Sequence, residues 1–183
     1  QSQSSKIRKI LLDVKKQGDK AVIKYEKKFS KINSKSNRIK FSNQEIEFIL
    51  KNMDKKLKKS IDIAFTRIKQ FHSKQKFYSF KYTDKFKNEL SYKYLPIENV
   101  GVYVPGGTAS YPSTVLMNCI PALVAGVKNI FLTTPALGSK VNPAIIYAAK
   151  KCGVKEVYKT GGAHSIAALA YGTRTFKKVD KIV

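Results

Sequence analysis

The sequence predicts an α/β protein, with a helical N-terminal region followed by a Rossmann-like parallel sheet layer that is incomplete at its C-terminus. Two observations lead there. Apolar residues recur at three- and four-residue intervals through the first 76 positions, as amphipathic helices require. Four short β-rich runs then follow, GVYVP (101–105), NIFLTT (129–134), EVYKT (156–160) and VDKIV (179–183), with helical segments between them. Strand–helix–strand units of that length join parallel strands through right-handed crossovers. The reading divides the chain into a helical region (1–76), a β-rich connector (77–100) and a Rossmann-like α/β domain (101–183).

Taken in order, Ile7, Ile10, Leu11 and Val14 share one helical face. Gly18 is expected to close that helix and Asp19 to cap the next, in which Val22, Tyr25 and Phe29 recur. After the linker KINSKSNRIKF, Ser42 and Glu45 stand in the S-x-x-E relation of a capping box, so a helix starts at NQEIEFIL. Leu57, Ile61, Ala64, Ile68 and Phe71 mark a further long helix reaching about Lys76. His72, at its end, is read as a surface or packing histidine. From Phe77 to Val100 the pattern changes to alternation, with Leu90, Tyr92 and Tyr94 on one side and Ser91 and Lys93 on the other; a half-buried antiparallel strand region is expected. Beyond it, Asn142 followed by Pro143 starts a helix, and Gly126, Gly153 and Gly172 each follow the last turn of one.

Composition narrows the function classes. Of the 183 residues, 43% are hydrophobic, enough to bury a core. No run of 18 apolar residues appears, which argues against a membrane span, and QSQSSKIRKI lacks the apolar segment of a secretory signal. Cys119 and Cys152 lie in apolar helical patterns without a metal-type spacing, and are read as reduced core residues of a cytoplasmic protein. Net charge is +24, with +16 carried by residues 1–100 and +8 by the rest. Such a field attracts polyanions nonspecifically. Yet only Arg8, Arg38, Arg67 and Arg174 are arginine and the lysines are scattered between apolar anchors, which argues against a dedicated nucleic-acid role. The chain has no initiator Met and stops at KVDKIV inside a predicted strand, so it is read as a piece of a longer protein.

In open parallel sheets, ligands bind beyond the carboxyl ends of the strands. Here that means the Pro105–Ser113 turn, Thr133–Pro135 and Thr160–His164. The first turn, P-G-G-T-A-S, lacks the glycine offsets of a dinucleotide fingerprint, and the second strand ends in Thr133, Thr134 and Pro135 with no acidic residue for a ribose. The second glycine pair, in YKTGGAHSIAALAYG, leaves His164 in the first turn of a helix, where the dipole disfavours added positive charge and suits a neutral, hydrogen-bonding imidazole. Glu156 and Asp180, the only carboxylates after residue 100, fall near strand starts, at the opposite end of the sheet. No acid–base pair is visible, so the reacting groups are expected elsewhere.

VGVYVPGG, STVLMNCIPALVAGV, NPAIIYAAKKCGV and YKTGGAHSIAALAYGT…KVDKIV together resemble the N-terminal part of histidinol dehydrogenase, and ILLDVKKQGDKAVIKYEKKF and AFTRIKQFHSKQK resemble the opening helices of that family. The resemblance implies a homodimeric oxidoreductase that carries L-histidinol through L-histidinaldehyde to L-histidine with two NAD and a zinc ion. It also implies that the zinc ligands and the Glu–His acid–base residues lie later in the family's chain. Two cofactor contacts are implied within these residues: Tyr103, the tyrosine of V-Y-V-P-G-G, and His164, which stands where the family normally has glutamine. By this reading the chain alone is inactive, binds no zinc and self-associates through apolar surface left open near Val183. Two other readings stay open, a decayed non-catalytic remnant and a basic α/β module that binds nucleic acid.

Overall fold

The computed structural model describes residues 2–30, 39–75, 77–106, 111–136 and 141–183. Seven helices and six strands lie among them, in the order α1 (Gln3–Gln17), α2 (Asp19–Ser30), α3 (Asn43–Lys51), α4 (Lys55–Ser73), β1 (Phe80–Thr83), β2 (Glu89–Tyr92), β3 (Asn99–Tyr103), α5 (Pro112–Val124), β4 (Asn129–Thr133), α6 (Pro143–Lys151), β5 (Glu156–Tyr158), α7 (Gly162–Tyr171) and β6 (Lys181–Ile182).

β3 to β6 form one parallel sheet in the order β5-β4-β3-β6. The chain therefore starts at β3, steps outward through β4 to β5, and returns to the far side of β3. That reversal is the doubly wound arrangement, and it opens a crevice at the carboxyl ends of β3 and β6. The Tyr103 amide donates to the Val183 carbonyl at 2.8 Å, which fixes these two ends together. The β5 edge is covered by residues 39–41: the Phe41 amide donates to Val157 O at 3.0 Å and the Lys159 amide to Ile39 O at 2.7 Å. Such pairing removes a template for aggregation.

Strand alternation sends side chains to two faces. Val100, Val102, Ile130, Leu132 and Val157 pack with residues of α3 to α6, including Val115, Ile120, Ile146 and Cys152. Phe131 and Tyr158 pack on the other side with Ile10, Val14, Val22 and Tyr25 of α1 and α2 and with Leu169 of α7. Gly101 lies in this second set of positions, and a Cβ there would stand 3.0 Å from Leu169, so glycine lets α7 close onto the sheet. The helices of residues 1–76 thus contribute to both cores.

Several local expectations change. Gly18 ends α1, its amide donating to Val14 O at 2.8 Å, but its carbonyl also takes the first amides of α2. Asp19 is not a side-chain cap; its carboxylate accepts instead from the hydroxyls of Thr173 and Thr175 and ties α2 to the loop before β6. Ser42 and Glu45 do form the capping box. α4 ends at Ser73, and Leu57 and Phe71, expected on its packing stripe, are exposed. Ile7 and Phe29 are exposed likewise, whereas Ile10, Val14 and Val22 are core. The connector is antiparallel as expected, pairing Phe80 with Tyr92 and Tyr82 with Leu90. It is not half-buried: every residue of β1 and β2 is exposed, because no layer among the described residues covers the hairpin.

Candidate cofactor-binding site

Three strand ends converge on one proline. A Cβ on Gly161, after β5, would lie 2.2 Å from Pro135 Cγ, and one on Gly106, after β3, 2.8 Å from Pro135 Cβ. Pro135 itself follows β4. Both distances are shorter than real Cβ contacts allow, so glycine is required for the three loops to meet at the carboxyl end of the sheet. Of the P-G-G-T-A-S turn, residues 107–110 lie outside the described residues.

Tyr103, Thr133 and Tyr158 are register partners across β3, β4 and β5, so their side chains share one face. That face is the one covered by α7. Thr133 Oγ1 donates to Thr160 O at 2.7 Å and shares a 2.5 Å hydrogen bond with Ser165 Oγ of α7. Tyr103 is half-buried at the end of the same row. The residue before Ser165 is His164, so the row that carries Tyr103 leads directly to the first turn of α7.

His164 is buried, with 2% of its surface exposed, and its ring is turned toward α2. Its Nε2 lies 2.8 Å from Glu26 Oε2. The Gly161 amide donates to the same oxygen at 3.4 Å, and Ser30 Oγ donates to Oε1. Tyr25 and Phe29 stack on each other, and their ring centroids stand 6.2 and 6.0 Å from that of His164. Tyr25 is fixed in turn by Asp13, its hydroxyl donating to Oδ2 at 2.6 Å; that bond pushes the phenol up to about 12 and holds the Asp13 carboxyl below its usual range. His164 Nδ1 is buried without a hydrogen-bond partner among the described residues.

Sequence reasoning missed Glu26. It lies 138 positions before His164 and reads as one polar residue on a lysine-rich helix. Its signal is that Ala21, Val22 and Tyr25 define a buried face to which position 26 also belongs. A second carboxylate also reaches this end of the sheet. Glu45 accepts from Lys159 Nζ, which sits 4.5 Å from the Phe41 ring centroid and is buried. Burial alone would raise the Glu45 carboxyl, but the bonds from Lys159 and Ser42 outweigh it and hold the group low.

The other candidates fall where expected. Glu156 and Asp180 occupy the amino end of the sheet, Glu156 taking bonds from Lys40 at 2.9 Å and Tyr158 at 2.6 Å, Asp180 one from the Asn99 amide at 2.9 Å. Cys119 and Cys152 are buried, unbridged core residues under α5 and α6. The Cys119 thiol is raised by its bond to Cys152 and by burial, the opposite of a nucleophile. His72 Nδ1 lies 2.7 Å from Gln75 Oε1 at the surface end of α4. Among the described residues no group of three or more His, Cys, Asp or Glu could hold a metal ion, and no helix is long and apolar enough to cross a membrane.

Comparison with known proteins gives one consistent result. The family model for histidinol dehydrogenase matches residues 1–183. The chain is 55% identical to the histidinol dehydrogenase of Pelagibacter ubique over its full length, covering 42% of that protein. It is 46% identical over 177 residues to that of Mesorhizobium japonicum, covering 41%. The crystal structure of histidinol dehydrogenase from Elizabethkingia anophelis superposes on the whole chain with a TM-score of 0.92 at 38% identity, again over 42% of its length. The chain thus spans about two fifths of the relatives it matches. With a matching family model over every residue and a doubly wound sheet in common with a solved member, the chain belongs to the histidinol dehydrogenase family.

Proposed function

We propose that this chain is the N-terminal, cofactor-side part of a cytoplasmic, homodimeric histidinol dehydrogenase, which oxidises L-histidinol through L-histidinaldehyde to L-histidine with two NAD and a zinc ion. The observation that carries the reading is the full-length family match joined to a β5-β4-β3-β6 sheet, whose β3–β6 crevice is the place where such folds take dinucleotides.

NAD, when bound, supplies the hydride acceptor. The residues present fit a supporting part in holding it. Tyr103 stands at the carboxyl end of β3 beside the crevice, half-buried, and offers a phenol for stacking or hydrogen bonding. His164 offers an unpartnered ring nitrogen from the first turn of α7. Gly106 and Gly161 let the loops after β3 and β5 close on Pro135, which shapes the rim at this end of the sheet. Zinc does not fit the described residues, among which no group of three or more His, Cys, Asp or Glu could hold a metal ion; we assign its ligands and the proton-transferring groups to the remainder of the longer protein.

The test is turnover. The complete polypeptide should reduce two NAD for each L-histidinol consumed, read by NADH absorbance, and the 183-residue chain alone should reduce none. Turnover by the 183-residue chain would overturn the division of labour.

A further inference from the structure

We infer that Glu26 is a positioning residue for His164: it takes the proton-bearing Nε2 and so leaves Nδ1 as a lone-pair acceptor for a donor group of the cofactor. The inference rests on the reading of position 164 as a cofactor contact and deepens it.

The contact with Glu26 fixes one end of the imidazole. A carboxylate only accepts, so the 2.8 Å contact between His164 Nε2 and Glu26 Oε2 requires the proton on Nε2. In the neutral ring Nδ1 is then an acceptor. The carboxylate cannot swing away easily, because Ser30 Oγ holds its other oxygen and the Gly161 amide shares Oε2. Tyr25 and Phe29 flank the ring and oppose its rotation. Both side chains are almost wholly buried, 3% and 8% exposed. Buried polar atoms without a partner are rare in folded proteins, and Nδ1 is one. On its Gly162 side no side chain stands over Nδ1: an added Cβ would lie 3.7 Å away, and glycine has none.

The chemical consequence is specific. Glutamine, which the resemblance implies at this position, presents both a donor and an acceptor. Neutral His164 held by Glu26 presents an acceptor alone. The group that meets it must donate, which selects the carboxamide N–H or a ribose hydroxyl and excludes a phosphate oxygen.

Two measurements on the complete polypeptide test this. Nitrogen-15 spectroscopy of the histidine rings should show His164 with Nε2 protonated and Nδ1 bare, and Glu26→Leu should mix the tautomers. Calorimetric NAD titration should show Glu26→Leu weakening binding about tenfold, while Glu26→Gln, whose amide oxygen still accepts, restores most of the affinity. In a His164→Gln background, Glu26→Leu should change affinity less than about twofold, because the residue it acts through is gone. Equal weakening in both backgrounds would overturn the inference, since a merely structural Glu26 acts regardless of residue 164. A proton found on Nδ1 would overturn it with the cofactor reading intact. Failure of the wild type to bind NAD would instead overturn the cofactor reading itself.

Discussion

Against one face of the sheet, α3 to α6 pack Val115, Ile120, Ile146 and two unbridged cysteines in a core that is almost entirely apolar. Against the other, α1, α2 and α7 bring Glu26, His164 and Ser165 onto Thr133, so buried polar groups concentrate at the carboxyl end of that face. Apart from the Lys159–Glu45 pair at its edge, the first face can be explained by packing alone. The second bears desolvation costs that an apolar core avoids, and its groups surround the loops where a doubly wound sheet takes its ligand. Buried polarity gathered at the carboxyl end of the sheet, mostly on the α7 face, with Lys159 meeting Glu45 on the other, marks the candidate site better than the glycine turns, which serve close packing as well.

This contrast can be broken in a graded way by chemical unfolding. Leu132→Ala, in the central strand on the apolar face, should cost about 4 kcal/mol as a cavity. Glu45→Ala should cost about 3 kcal/mol, since it removes the capping box and strands the buried Lys159 ammonium. Thr133→Val, on the polar face, should cost about 2 kcal/mol because Ser165 and the Thr160 carbonyl lose their partner while the volume is kept. Lys81→Ala should cost less than about 0.5 kcal/mol, its 2.5 Å pair with Glu89 being exposed on the hairpin. The cysteines sharpen the comparison, since no thiol-reactive label should modify either in the folded chain.

Acid adds a signed test. Glu45 titrates below its ordinary value of 4.5 in the folded chain, so its contribution is complete above that value and is lost as pH falls through the lowered one. Thermal melting should therefore decline below about pH 4.5, and Glu45→Gln should flatten that part of the decline.

Much of the fold was legible in the sequence because its signals are local. The alternation of β-rich runs with capped helices identifies the parallel layer, and S-x-x-E marks the start of α3. Asp19 shows where locality ends: its position fits a cap, but Thr173 and Thr175 compete for the carboxylate from 154 and 156 residues away. The connector fails for a related reason. Alternation in β1 and β2 records a face fit for burial, whereas burial itself depends on a covering layer that pattern does not encode. Of the candidate site, position 164 was identifiable from its turn and its resemblance. Glu26 was not, since a carboxylate paired across the fold leaves no spacing to read.

Cofactor bound, as proposed, on the α7 face at the carboxyl end of the sheet would leave a local footprint in the backbone. Hydrogen exchange of the complete polypeptide, followed by mass spectrometry with and without saturating NAD, tests it most directly. Added protection is expected to concentrate in segments 99–106 and 160–166. Protection confined to α4, α5 and α6, with none in those two segments, would contradict it.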